Sequence, residues 1–444
     1  MNARRRAILR GLQGLVIVPL VLLVSAGAAW AGPKTVDCAK GQTITHALEQ
    51  SDGNPITIEV RGTCHESVQI DRDDVTLIAG SAGGTVNGPD PNTNTINVVG
   101  ASRVVIDGLT VTGGRNGIAA NGASRLTIQN CSVQRTGRTG ISFFQGSSGT
   151  ANSCTVQDNP RDGISVEGGA ATVINSTISG NGRTGIIVHN GGSARIGITN
   201  RNDPAGNMIT GNSGSGIGVA NGGSAYLADN TISGNGIINP ASTACCFGLH
   251  VTHATASLAG GNTISGNAGS GVFVRAGSVL IGDPGFDLPT GNIISDNGAS
   301  NPTRGGIQAF QGGMADVRDA TITGNHGGGA QASENGVIEL RNSTIGASVF
   351  VSPGFDGGHG VVGSLRSTVR LRGGSIVQNN AGDGVRITNG SAADFRGAPD
   401  PASSVTGNTG FGLNCFGADT FYSGNTSGVT GNGAGQISGT CTLF

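Results

Sequence analysis

The chain has few aromatic residues and few charges. Aromatic side chains make up 4% of its 444 residues, and charged side chains make up 12%. The hydrophobic share of 36% is too high for a solvated, disordered chain. The 81 glycines exclude a helical bundle, because Gly destabilises helices, and they lack the three-residue period of collagen.

Long hydrophobic runs are absent after the first residues, which have the pattern of a secretory signal peptide. Four arginines among the first ten residues give a basic start, residues 15–24 form an apolar run, and residues 29–31 (Ala-Trp-Ala) form a small-x-small cleavage site. We therefore expect export to the periplasm, the extracellular space or the cell surface. The apolar run is too short for a membrane span, so we expect the mature chain, from residue 32, not to span a membrane.

Positive charge is scarce in the expected mature chain. Removing the four arginines of the signal peptide leaves 22 Lys and Arg against 27 Asp and Glu, a net charge of −5. Lysine remains only at positions 34 and 40. Because nucleic-acid binding needs a clustered positive face, we expect no nucleic-acid partner.

What the chain does contain is a repeated phrase, Ile or Val followed three residues later by Asn. Successive copies are 22 to 32 residues apart, and each unit holds three short segments that alternate apolar and polar residues. Such units predict three strands per coil with no room for a helix, and a solenoid in which each coil rests on the next. Roughly fourteen coils at a strand spacing of ~4.8 Å would make a rod ~65 Å long. The aligned aliphatic positions are Val133, Val156, Ile178, Ile209, Ile232, Ile264, Ile294, Ile322, Ile345, Ile376, Val405 and Val429.

The Gly-Ile-x-Val segments, Asn-x-Ile turns and Gly-Asn endings together resemble the right-handed parallel β-helix repeat of pectin-lyase-like proteins, from about residue 56 to about residue 432. Residues 44–48 resemble a short capping helix, and residues 56–66 resemble the family's entry strand and Gly-Thr-x-x-Glu turn. The resemblance implies an all-β solenoid with a short N-terminal capping helix. Residues 32–95 would form the cap and first coils, 96–432 the repeats and 433–444 an end segment.

Recurring asparagines are interpreted as an amide ladder, because Asn bonds to neighbouring turns and tolerates left-handed backbone. The predicted rungs are Asn181, Asn212, Asn235, Asn267, Asn297, Asn325, Asn379, Asn408 and Asn432.

Eight cysteines, an even number, are compatible with disulfides in an exported protein. Local pairing would join Cys38 to Cys64 and Cys415 to Cys441, although connectivity does not follow from spacing. Cys131 and Cys154 share one row with Ser176. They form either a disulfide between adjacent coils or a pair of buried thiols.

The outward residues of the Gly-Ile-x-Val strands are the candidate ligand contacts, since side chains alternate along a strand. Aromatic faces beside amides and charges suit an extended carbohydrate, and the resemblance implies that this sheet carries the substrate groove. The alternative is an ordinary polar covering of an exposed sheet. The candidate binding residues are Phe144, Glu167, His189, His250, Phe273, Arg275, Gln308, Phe310, Gln331 and Arg386.

No catalytic constellation is complete in the sequence. Asp162, Glu167 and His189 are the candidates, with Arg161 alongside, and solvated turn charges are the alternative. Glycoside hydrolysis would need two carboxylates at a defined separation. His359, in a Gly-His-Gly segment that matches only a fragment of the polygalacturonase pattern, is interpreted as part of a turn.

Asp-Pro segments in the longer units indicate turns. The alternative is a Ca²⁺ site formed by Asp203, Asp283, Asp287 and backbone oxygens.

Three functions follow from these patterns. The first is an exported protein that binds a carbohydrate polymer or cell-surface glycan along the Gly-Ile-x-Val sheet. The second is a polysaccharide lyase, glycoside hydrolase or uronan epimerase that acts in the same groove. The third is a structural or adhesive cell-surface rod without catalysis.

Overall fold

Three short parallel strands per coil build the protein, as the repeat predicts. The computed structural model describes residues 32–200, 203–236, 246–282, 291–299, 304–349, 357–396, 402–417, 419–438 and 441–443. The predicted signal peptide, residues 1–31, lies outside the described residues. Among the described helices, none is long and apolar enough to cross a membrane.

One strand of each coil belongs to a fifteen-stranded parallel sheet, in which every strand pairs with its equivalent in the next coil. Its strands contain the Gly-Ile-x-Val segments. They are Val68–Ile70, Ile96–Val99, Ile118–Asn121, Ile141–Phe144, Ile164–Glu167, Ile186–His189, Ile217–Ala220, Leu249–Thr252, Val272–Arg275, Ile307–Phe310, Gly328–Ser333, His359–Ser364, Val385–Thr388, Phe411–Phe416 and Gly435–Ile437.

The other two strands of each coil belong to a thirty-stranded sheet. It starts with Lys34–Asp37, Ile56–Cys64 and Val75–Gly88. The second strands of the following coils are Val104–Asp107, Arg125–Gln129, Ser148–Asn152, Ala170–Ile174, Ser193–Ile196, Ser224–Leu227, Thr255–Leu258, Ser278–Ile281, Met314–Arg318, Val337–Arg341, Thr368–Arg372, Ala392–Phe395, Phe421–Gly424 and Thr442–Leu443. The third strands are Thr110–Gly113, Ser132–Thr136, Thr155–Gln157, Thr177–Ser179, Met208–Thr210, Thr231–Ser233, Thr263–Ser265, Ile293–Ser295, Thr321–Thr323, Thr344–Gly346, Ile376–Gln378, Ser404–Thr406 and Val429–Thr430.

A short helix covers the first coil, as predicted. A 3-10 turn, Cys38–Lys40, precedes the α-helix Ile44–Glu49. The carboxylate of Glu66 accepts hydrogen bonds from the backbone N–H groups of Ile44 and Thr45, at 2.7 and 3.0 Å, and so caps the helix. The buried face of the helix, which includes Leu48, closes the apolar core at this end.

The core is one continuous stack of aliphatic side chains along the coils. Val156, Ile178 and Ile209 lie directly above one another and are fully buried. One predicted position is wrong by a single residue: Val377 pairs with Ile345, whereas Ile376 is only half-buried. A one-residue shift turns a strand's side chains to the opposite face.

The same shift corrects the predicted amide ladder. The rung in that coil is Asn380, whose backbone N–H donates to Asn408 Oδ1, and not Asn379, which adopts a left-handed φ of 54°. Adjacent asparagines made the two choices indistinguishable by pattern alone.

The amide ladder is fully buried and self-complementary. From Asn181 to Asn297, and again at Asn408, the side-chain amide of each rung donates to the carboxamide oxygen of the next coil and to a backbone carbonyl. Asn235 Nδ2, for example, donates to Asn267 Oδ1 at 2.9 Å and to the Ile209 carbonyl at 3.1 Å. Its own Oδ1 accepts from the backbone and side-chain N–H groups of Asn212. Such a rung thereby satisfies buried polar groups of three coils.

A second ladder runs parallel to the first and was missed in the sequence. It extends the predicted row of Cys131, Cys154 and Ser176, because Ser176 N–H donates to Asn207 Oδ1 at 3.0 Å. The further rungs are Asn207, Asn230, Asn262 and Asn292. Among described atoms, Asn292 Nδ2 has no partner, since the next coil has Ala320 immediately before its third strand.

Two of the three candidate disulfides are confirmed. Cys38 is bonded to Cys64 and Cys415 to Cys441, one bond near each end of the repeats. The disulfide alternative for Cys131 and Cys154 is wrong: both are buried thiols. Each sulfur lies within hydrogen-bond reach of backbone carbonyls, Gln129 O at 3.1 Å from Cys131 and Asn152 O at 3.3 Å from Cys154.

Burial makes these two thiols chemically inert. Desolvation, followed by the neighbouring Cys154, raises the pKa of Cys131 to about 12. Desolvation also raises the pKa of Cys154 to about 11. Since the thiolate is the reactive form, burial disfavours nucleophilic attack by either thiol.

Truncation of one rung tests the amide ladder. Asn235→Ala removes the hydrogen bonds to Asn212, Asn267 and Ile209 and leaves buried polar groups of these residues unsatisfied. We therefore expect the free energy of unfolding to fall by about 2–4 kcal/mol.

Ser348 stands where a rung is missing between Asn325 and Asn380, and its Oγ has no partner among described atoms. Ser348→Asn should raise stability by about 1 kcal/mol. Urea unfolding followed by circular dichroism measures both, and equal stability of all three proteins would contradict a stabilising ladder.

Candidate functional site

The outward residues of the fifteen-stranded sheet form two columns. In the first, Ser142, Ser165 and Ile187 follow one another in register, and the column continues through His250, Phe273, Gln308, Gln331 and Arg386. In the second, Phe144, Glu167 and His189 are neighbours, and Arg275 and Phe310 lie further along. The alternation of side chains therefore places all ten predicted contacts on one sheet.

Part of these columns borders a cavity. A groove of about 480 Å³ crosses the coils between Asn94 and Asn221. It brings together four predicted residues, Phe144, Asp162, Glu167 and His189. The other lining residues are Asn94, Arg115, Asn116, Asn121, Arg138, Thr139, Arg161, Ser165, Arg183, Ile187, Ala220 and Asn221.

A larger trough lies on the thirty-stranded sheet but offers less chemistry. It measures about 660 Å³, and short Ser, Thr, Ala and Gly residues form most of its lining. Its only ionisable side chains are Arg195 and Tyr226. Because the smaller groove combines carboxylates, an imidazole, amides and guanidinium groups, the smaller groove is the better candidate site.

Glu167 and His189 face each other across adjacent coils of the groove. Glu167 Oε2 lies 4.0 Å from His189 Nε2, and the Glu167 side chain is 43% exposed. The Asn190 amide donates to Glu167 Oε1 at 2.9 Å and orients the carboxylate. Ser165 Oγ lies 3.4 Å from the same imidazole nitrogen. This arrangement can bind hydroxyl groups or exchange a proton with a ligand.

Asp162 has a structural task as well as a place in the groove. Asp162 is 8% exposed, and its Oδ1 accepts a hydrogen bond from the backbone N–H of Thr184 in the next coil at 3.1 Å. Asp383, the equivalent residue of a later coil, likewise accepts from the backbone N–H of Phe411 at 2.8 Å. The carboxylate of Asp162 therefore joins two coils, which leaves Glu167 as the more accessible acid of the groove.

Four arginines along one edge of the groove were not singled out by sequence reasoning, which noted only Arg161. Arg115, Arg138, Arg161 and Arg183 lie two residues before the Gly that opens each Gly-Ile segment. Their spacing of 23, 23 and 22 residues equals the basic repeat and was the available signal. We call this set the arginine column.

The remaining aromatic candidates pack against one another. Phe273 is only 7% exposed, because its ring stacks on Phe247 at 4.5 Å and Arg304 lies 5.2 Å above it. The expectation that this ring faces solvent is wrong. His250 lies edge-on to Phe273, and desolvation, followed by the charges of Arg304 and Arg275, lowers the pKa of His250 to about 4. This imidazole is neutral at physiological pH.

The two amide candidates near this cluster are hydrogen-bonded to each other, and Arg275 is bonded to a further amide. Gln308 Nε2 donates to Gln331 Oε1 at 2.8 Å, and Arg275 Nε donates to Gln311 Oε1 at 2.6 Å. Phe310 is half-buried, 6.2 Å from Phe273. These residues lie on the predicted sheet but do not border the groove.

Arg386 belongs to a separate polar cluster further along the sheet. His359 opens a strand there and does not form a turn. Its Nδ1 accepts from the backbone N–H of Asp383 at 2.8 Å. Arg386 Nη1 lies 3.2 Å from His359 Nε2 and 3.9 Å from the Asp383 carboxylate. Asn414 also donates to that carboxylate at 2.8 Å, so the cluster ties three coils together.

The Ca²⁺ hypothesis rests on one described residue. Asp203 lies in a small antiparallel hairpin, Ile198–Asn200 with Asp203–Pro204, and its carboxylate accepts a hydrogen bond from Thr199 Oγ1 at 2.5 Å. Asp283 and Asp287 lie outside the described residues. The contact to Thr199 supports the turn interpretation.

Thermal unfolding with and without Ca²⁺ distinguishes a turn from a Ca²⁺ site. If Asp203, Asp283 and Asp287 serve only turns, the thermal unfolding midpoint should be the same in Ca²⁺ and in EGTA. A midpoint raised by Ca²⁺, and no longer raised in Asp203→Asn, would instead establish the site, because a ligand that binds only the native state stabilises it.

Coils of three parallel strands with a groove on one sheet define a parallel β-helix protein. The family model for the right handed beta helix region matches residues 50–203 and 162–345, which together cover more than half of the chain. The chain therefore belongs to this right-handed β-helix family, and the expected right-handed parallel β-helix fold is confirmed. None of the curated proteins compared with the sequence matches it.

Several solved structures are similar to this chain at low identity. Pectate lyase Pel9A has 15% identity and a TM-score of 0.38, over 68% of this chain and 72% of its own. The catalytic unit of the GH87 α-1,3-glucanase from Streptomyces thermodiastaticus strain HF3-3 has 13% identity and a TM-score of 0.35, over 93% and 69%. The PL6 family alginate lyase AlyGC has 12% identity and a TM-score of 0.35, over 92% and 78%. Similarity at this level carries no statement about activity.

Proposed function

We propose that the protein is exported and binds an extended polysaccharide in the groove between Asn94 and Asn221. The observation that carries this proposal is the direction of the groove, which crosses consecutive coils. Each coil presents its side chains at a spacing of ~4.8 Å, so the groove offers a repeating set of contacts to a repeating polymer.

The lining of the groove supports a carbohydrate ligand. Phe144 offers an apolar surface, and Asn121, Glu167, His189 and Asn221 offer donors and acceptors for hydroxyl groups. An apolar wall with a few convergent polar groups is typical of small-molecule and glycan sites.

The disulfides Cys38–Cys64 and Cys415–Cys441 support export, since disulfides persist in oxidising compartments. A carbohydrate polymer or cell-surface glycan outside the cytoplasm is the partner that this placement favours.

Truncation of Phe144 tests the proposed binding. Affinity electrophoresis with neutral and acidic glycans should show retardation of the wild-type protein, and Phe144→Ala should weaken it several-fold, because an aromatic contact contributes about 0.5–1.5 kcal/mol beyond its area. Phe421→Ala, the same truncation on the thirty-stranded sheet, is the matched control and should bind normally. Free migration of the wild-type protein in every glycan gel would contradict the proposal.

A second candidate function is catalysis in the same groove, as a polysaccharide lyase, glycoside hydrolase or epimerase. The pairing of Glu167 with His189 at 4.0 Å favours it, because an accessible carboxylate beside an imidazole can transfer a proton.

Product formation decides between binding and catalysis. With uronans and neutral glycans as substrates, an enzyme should release unsaturated products or reducing ends, or change the uronate composition. Glu167→Gln should lower its rate by about 10²–10⁴-fold, a much larger effect than on retardation in glycan gels, because Gln keeps a carbonyl acceptor for hydroxyl groups. Absence of any product with the wild-type protein would leave the binding function alone.

A further inference from the structure

The arginine column stacks four positive charges along one edge of the groove. Backbone hydrogen bonds hold it in register: Arg161 N–H donates to the Arg138 carbonyl and Arg183 N–H to the Arg161 carbonyl, both at 2.9 Å. Adjacent guanidinium groups therefore start from Cα atoms one coil apart, ~4.8 Å. Like charges at this separation repel one another.

Few carboxylates compensate this repulsion. Among the described residues, the only side-chain ion pair of the column joins Arg183 to Asp162, at 4.0 Å. Arg115, Arg138 and Arg161 have no side-chain hydrogen bond or ion pair in the described part of the chain. Burial and then the charges of the other three arginines lower the pKa of Arg138, which agrees with an uncompensated column.

The chain compensates stacked arginines elsewhere. On the thirty-stranded sheet, Arg318, Arg341 and Arg372 also follow one another in register. Each contacts a carboxylate there: Arg318 contacts Asp316 at 2.6 Å, Arg341 contacts Glu339, and Arg372 contacts Asp394 at 2.7 Å. The groove lacks such an acidic partner column, since its acids are Asp162 and Glu167 alone. Compared with that paired column, the groove edge therefore carries excess positive charge.

We propose that the groove binds a polyanionic glycan with an acidic group on successive sugars, and that Arg115, Arg138, Arg161 and Arg183 pair with these groups. This inference rests on the proposed polysaccharide binding and names its ligand class. Guanidinium groups pair with carboxylate and sulfate in bidentate geometry, so either acid satisfies the column.

The two edges of the groove also orient the ligand. The arginine column precedes the strands of the fifteen-stranded sheet, whereas Glu167 and His189 end their strands. The acidic groups of the glycan then face the arginine column, and its hydroxyl groups face Glu167 and His189. With four arginines in the column, affinity should rise with oligomer length up to about four acidic sugars and then level off.

Matched pairs of polymers test the ligand class with the full-length protein. The probes are polygalacturonate with its methyl ester, and dextran sulfate with dextran, which distinguish carboxylate, sulfate and neutral ligands. At low ionic strength we expect retardation by the charged member of at least one pair, with salt weakening it. Arg138→Gln with Arg161→Gln should raise the dissociation constant at least about tenfold.

The control variant removes two charges from elsewhere on the chain. Arg125→Gln with Arg135→Gln changes two exposed arginines of the thirty-stranded sheet and should bind like the wild-type protein. Circular dichroism verifies the fold of both variants. Equal binding of neutral and charged members, or no effect of the Arg138 and Arg161 changes, would overturn the inference and leave polysaccharide binding intact. Absence of binding to all four polymers would overturn the inference and count against the proposed function as well.

Discussion

Parallel pairing in register is the constraint on which the rest of the structure depends. Paired strand residues lie above their equivalents in the preceding coil, at the ~4.8 Å spacing of hydrogen-bonded strands. A side chain therefore contacts the equivalent side chains of the preceding and the following coil. Aliphatic side chains such as Ile178 gain from this arrangement, because stacking removes them from water. Asparagines gain too, since a carboxamide both donates and accepts.

Charged residues show the cost of the same constraint. A stacked arginine repels its neighbour unless carboxylates lie beside it. The chain supplies them around Arg318, Arg341 and Arg372 on the thirty-stranded sheet. It does not supply them along the groove edge, where Arg115, Arg138 and Arg161 have no described carboxylate partner. This uncompensated positive charge is the physical basis of the acidic ligand that we propose.

Much of the fold could be predicted from the repeat, because strand alternation and stacking are both periodic. The outward placement of Phe144, Glu167 and His189 followed from alternation alone. Errors arose where periodicity was ambiguous or irrelevant. In one coil, two adjacent asparagines left the register ambiguous, and Asn379 was predicted as the rung in place of Asn380. The burial of Phe273 depends on Phe247 and Arg304, which pattern reasoning did not place beside it.

The sequence by itself determined the class of fold, the three strands per coil, the capping helix and the sheet that carries the candidate contacts. These features depend on the local alternation of apolar and polar residues and on the repeat, both of which are visible in the linear sequence. The tertiary structure decided which of the outward residues share a groove and that Cys131 and Cys154 remain thiols. It also decided that Asp162 joins two coils and that the arginine column lacks compensating acids. These outcomes depend on distances between side chains of different coils and turns, and such distances arise only when the chain has folded.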